Sequence, residues 1–101
     1  MTCKTTDTEA VVEEALICAA RALSIPYRSA LVSSHRKAVL SRAIAMVWAT
    51  QEMGHTLTGV GEAMGLDHST VHHHKAHHEA RIQSEKLYRE GWKEVEAELR
   101  D

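Results

Sequence analysis

Gly65-Leu66-Asp67-His68-Ser69-Thr70-Val71-His72-His73-His74 is the stretch on which the fold turns. Glycine readily takes the left-handed conformation that closes a helix, and Asp is a strong N-cap for the next one. The stretch therefore predicts a helix ending at Gly65, a short turn, and a new helix opening near Asp67 or His68. The side chains that open this second helix are small or polar, so they suit contact with the edges of bases. A helix-turn-helix over residues 56–78, with duplex DNA as its partner, is the expectation.

Working back from the turn, Thr56 is placed to cap a short helix containing Leu57, Val60, Ala63 and Met64. Gly59 and Gly61 weaken such a helix by about 1 kcal/mol each relative to alanine. Close approach of another backbone, from a neighbouring helix or from DNA, would account for them; so would simple imperfection. Before Gly54-His55, the residues Val39, Leu40, Ala43, Ile44, Met46, Val47 and Met53 form an apolar face too broad for a solvent-facing helix. This helix, starting between Ser33 and Arg36, is expected to be the most buried, with Trp48 at its edge. Residues 25–34 read as a connection following Pro26, which disfavours helical geometry at Ile25.

The first helix is expected to open on a capping box, Thr6 with Glu9, and to bury Val12, Leu16, Ala19, Ala20 and Leu23. Downstream, Ile82, Leu87, Tyr88, Trp92, Val95 and Leu99 give a narrow apolar stripe interrupted at Gly91. Residues 83–101 form a helical tail suited to folding back, fraying or pairing with a second copy as a homodimer. The chain of 101 residues has one proline and no alternating β-branched runs. The predicted fold class is all-α: one compact domain of about four to five helices containing a helix-turn-helix.

The net charge of -2 conceals an uneven distribution. In residues 28–78, Arg28, Arg36, Lys37, Arg42 and Lys75 outweigh Glu52, Glu62 and Asp67. All eight histidines lie there too, and the flanking segments are acidic. The middle is thus the face suited to DNA, with modest and salt-sensitive affinity expected. Cys3 and Cys18 do not suggest a disulfide framework, which fits a reducing, cytoplasmic setting. No apolar run is long enough for a signal peptide or a membrane span.

Ala45-Met46, Leu57, Gly61, Met64-Gly65 and Asp67-His68-Ser69-Thr70-Val71 together resemble the C-terminal DNA-binding domain of DnaA, the bacterial replication initiator. The similarity covers roughly residues 12–82. It implies a Trp-repressor/DnaA C-terminal-like fold in which Asp67, His68, Ser69 and Thr70 read bases in the major groove. Arg36 and Arg42 would reach the minor groove or phosphates, with His73 near the backbone and Thr58 where the family has a proline. Lys37 matches no family position closely, but it lies beside Arg36 ahead of the reading helix, and with Thr58 it joins Arg36, Arg42 and His73 as the expected backbone or minor-groove contacts. The chain departs from the family elsewhere. Leu66 stands where Arg or Lys usually precedes the Asp-His pair, and Ser33, Ser34 and His35 occupy basic positions. Gly59 replaces a Glu, and His72 and His78 take positions that are usually apolar. The resemblance covers no ATPase domain, so ATP-driven opening of an origin is not implied.

The residues allow the same contacts on chemical grounds. Asp67 can accept from a cytosine amine, His68 can donate to guanine, and the Thr70 methyl can pack on thymine. A simpler role for Asp67 is that of a cap. His73 with His77 and His74 with His78 stand four apart, a spacing that can chelate Zn²⁺, so these four are weak metal candidates. No cofactor is expected. No phosphate loop, nucleophile elbow or paired catalytic carboxylates appear, so an enzyme is not expected. The expected role is non-enzymatic regulation of replication or transcription, in the nucleoid of a bacterium or from a phage or mobile element. Two alternatives remain: a protein-interaction module that keeps the fold without DNA binding, and a histidine-based metal-responsive regulator.

Overall fold

In a computed structural model, residues 7–100 are described. Helix α1 (Thr8–Ala22) opens on Asp7, whose carboxylate accepts from the Glu9 backbone N–H. Asp7 thus takes the N-cap role expected of Thr6, which itself lies outside the described residues. The helix closes as Pro26 demands, through Ser24 at φ 62° and a bond from the Ile25 N–H to the Ala20 carbonyl. The expected connection at residues 25–34 is itself helical: α2 spans Tyr27–Val32. Pro26 supplies the N-cap with its fixed φ, and Ala30 is fully buried. The Arg42 guanidinium also donates to the Ala30 carbonyl at 2.8 Å. These tertiary contacts offset the weak local preference of so short a helix.

Helix α3 (Arg36–Val47) is the buried centre, as its apolar face predicts. It widens into a π-helical turn at Trp48–Glu52. There the Thr50 hydroxyl donates to the Met46 carbonyl, and the Met53 N–H reaches back five residues to Trp48. Such back-bonding competes with the regular ladder. Trp48, expected at the helix edge, is buried instead. It meets Trp92 edge to face, ring centroids 5.6 Å apart.

Helices α4 (Leu57–Met64) and α5 (His68–Ala76) follow, then α6 (His78–Ser84) and α7 (Lys86–Leu99). The described residues are thus all-helical with seven helices, more than the four or five expected. The excess arises from α2 and from two breaks in what reads as one long final helix. At His77 the ring N–H and the backbone N–H both turn back to the His73 carbonyl. At Glu85 the backbone is extended, φ -119° and ψ 107°. These breaks allow α7 to lie on α1 and α3 with Tyr88, Trp92 and Val95 buried. Burying each such side chain contributes about 1.5–3 kcal/mol, which outweighs one straight helix.

Gly91 does not interrupt α7. It lies where a Cβ would stand 2.8 Å from the Ile44 Cδ1, so it allows α7 to approach α3. The core has two parts. The larger joins α1, α3 and α7; the smaller joins Val11, Val12, Met46, Ala49, Val60 and Val71. The smaller part fixes α4 and α5 on the body.

Candidate nucleic-acid interface

Helix α4 begins where Thr56 accepts from the Gly59 N–H at 2.9 Å. It ends at Gly65, which is left-handed at φ 71°. Within the turn, the Leu66 N–H donates to the Gly61 carbonyl at 2.7 Å. A Cβ on Gly61 would stand 2.7 Å from the Leu66 oxygen. The close backbone approach expected for this glycine is therefore to the α4–α5 turn. Gly59 instead faces Thr56, the residue that caps it.

Asp67 caps α5, accepting from the Ser69 N–H at 3.1 Å and from the Ser69 hydroxyl. Those two bonds from Ser69, the hydroxyl's first, lower the Asp67 pKa, and the neighbouring His68 adds to the effect. The His68 Nδ1 lies 3.7 Å from the Asp67 carboxylate. Val71 is fully buried and sets the rotation of α5. With Val71 turned inward, Asp67, His68 and Ser69 are exposed and Thr70 is half-buried. Thr58, one turn into α4, is exposed as well. The structure thus brings the four expected base-contacting residues together at one helix end, with the Ser69 N–H already engaged by the Asp67 cap.

The basic residues are arranged differently. Arg36 is exposed but ion-paired with Glu85. Arg42 is half-buried and tied to the Ala30 carbonyl, and burial lowers its pKa. Lys37 has no ion pair or side-chain hydrogen bond among the described residues. Neither Arg36 nor Lys37 bonds to the opening of α5. Both instead line a cavity of about 540 Å³ with Leu87 of α7.

The histidines divide by environment. His73 is exposed and stacks on His77, centroids 4.2 Å apart. His74 accepts at Nδ1 from Arg81, 2.9 Å away. Burial and the surrounding Arg81, His73, Arg42 and His77 push its pKa down to about 4, so near neutral pH it adds no positive charge. His78 is a core residue. Its Nδ1 lies 2.7 Å from the Tyr88 hydroxyl, its ring packs on Trp92, and burial lowers its pKa. His78 thus fills a core position, where the resembled family is usually apolar, and His74 adds no charge to the candidate DNA face. Among the described residues, no three His, Cys, Asp or Glu side chains group to hold a metal.

Sequence reasoning missed the Arg81–His74 contact, seven residues apart across the His77 break. It also missed the use of Arg42 to hold α2. No protein-family model matches the chain, and no curated protein matches it.

Proposed function

We propose that the chain binds duplex DNA, with α4, the Gly65–Asp67 turn and α5 acting as a helix-turn-helix and α5 entering the major groove. The observation that carries this reading is the pairing of a buried Val71 with an open Asp67, His68 and Ser69. A helix anchored by one face and offering its polar N-terminal end fits the way such helices dock. The resemblance to the DnaA C-terminal domain supports the same residues. Lys37 and the exposed Thr58 and His73 are the candidates for phosphate contacts. Arg36 joins them once its pairing with Glu85 yields to a phosphate. Few phosphates are neutralised this way, so binding is modest and weakens steeply with salt. The role is that of a replication or transcription regulator, of bacterial or phage origin, acting at the nucleoid.

A second reading, a protein-interaction module, is favoured by one observation: Val32 is 79% exposed beside the 45% exposed Leu31 on α2. Selection of bound duplexes from a random pool at 50 mM salt tests the two. Enrichment of one motif is the expected result. An unenriched pool together with no measurable duplex binding at that salt would overturn the DNA reading in favour of the second.

A further inference from the structure

Between α2, the start of α3 and the start of α7 lies the cavity of about 540 Å³. Its size falls in the range of small-ligand sites, about 300–1,000 Å³. Ile25, Ala38 and Leu87 give it apolar walls, while His35, Arg36 and Lys37 contribute basic groups. None of its lining residues is acidic. The neighbouring Glu85 carboxylate is held by Arg36, which leaves Lys37 as the unpaired cation of the lining, beside a His35 ring that also has no partner among the described residues. Apolar walls with one unpaired cation complement a molecule that has a hydrocarbon body and a single negative charge. A cationic ligand would meet Lys37 unfavourably, and a neutral one would leave it unpaired.

We infer that this cavity binds a small apolar carboxylate, with Lys37 taking the carboxylate and Ile25, Ala38 and Leu87 packing the hydrocarbon. Lys37 also belongs to the proposed phosphate-contacting set, so occupancy weakens duplex binding. That coupling rests on the DNA reading; binding of the carboxylate does not.

The test is an amide NMR titration of the full chain, without DNA, using octanoate and octylammonium as probes. Octanoate is expected to give saturable shifts at Ser29, Lys37, Ala38 and Leu87, and octylammonium to bind at least tenfold more weakly. Lys37→Glu should weaken octanoate at least tenfold while the spectrum elsewhere is unchanged. Leu87→Asn, at a position already 39% exposed, should weaken it through the apolar wall and serves if the charge reversal perturbs folding. Equal affinity for the two probes, shifts that do not saturate, or shifts confined to another surface would overturn the inference. A separate anisotropy titration of duplex with octanoate present tests the coupling. If octanoate binds but leaves duplex affinity unchanged, the shared use of Lys37 is wrong and the cavity stands.

Discussion

Replacing Gly61 by alanine tests how the proposed reading helix is held. The added Cβ would stand 2.7 Å from the Leu66 carbonyl oxygen, and 3.4 Å from both the Asp67 carbonyl carbon and the His68 nitrogen. The first contact is too short to keep. The atom it meets is backbone, in a turn closed by the Leu66 N–H bond to Gly61 itself. The turn must therefore open by a few tenths of an ångström. Overpacking of this kind costs about 1–3 kcal/mol. Alanine returns about 1 kcal/mol through its better helix propensity. The net expectation is a loss of about 1 kcal/mol, which lowers Tm by roughly 4–8 °C in a domain of this size. An unobstructed glycine in the same helix would give a rise of similar size, so the sign alone separates the two cases. Urea denaturation followed by circular dichroism measures it, and amide shifts at residues 66–69 report the turn. A more stable variant with unmoved shifts there would refute the close approach and the account of how α5 is set.

Acid should destabilise the domain through His74 and His78. Both have pKa values below that of a free imidazole, so the unfolded chain binds more protons as pH falls below about 6.5. Their contribution is complete above that pH and is lost as it falls toward about 4, the His74 value. Solvent screening at the half-exposed His74 limits its part to about 1–2 kcal/mol. Urea midpoints at pH 7 and pH 4.5 should differ accordingly, with a smaller difference in His74→Gln; an unchanged difference in that variant removes His74 from the effect. Tyr88→Phe leaves the buried His78 Nδ1 without its hydrogen-bond partner and should cost about 1–3 kcal/mol by the same denaturation. Lys37→Ala should weaken every duplex alike and reduce the slope of log K against log salt by about 0.9. An unaltered slope would take Lys37 out of the interface.

The local devices of the candidate site were legible in the sequence. Thr56, Gly65 and Asp67 act within two or three residues of themselves, and each sits in the structure as its residue type predicts. The buried face of α3 was legible for the same kind of reason: of the seven apolar residues at helical spacing, Leu40, Ala43, Ile44, Met46 and Val47 are buried, whereas Val39 is half-buried and Met53, past the π-helical turn, is exposed. What escaped was decided by contacts distant in the chain. Helix α2 depends on Arg42, twelve residues beyond the carbonyl it holds. Trp48 is buried because Trp92 returns to meet it. The breaks at His77 and Glu85 carry no glycine or proline, and they exist to bring Tyr88 and Trp92 onto α1 and α3. His78 could be placed only once Tyr88 was known to face it. The basic residues were read as a group from their closeness in sequence, whereas Glu85 and Ala30 engage two of the three.

The central claim is that the exposed opening of α5 distinguishes one base pair from another. Affinities of the unaltered chain and of His68→Ala, measured by anisotropy on one selected duplex and on its single-base-pair variants at fixed salt, test it most directly. The account predicts that the variant loses about 1–3 kcal/mol of discrimination at one or two adjacent base pairs and keeps its preference elsewhere. A uniform loss across all duplexes, or none, would contradict it.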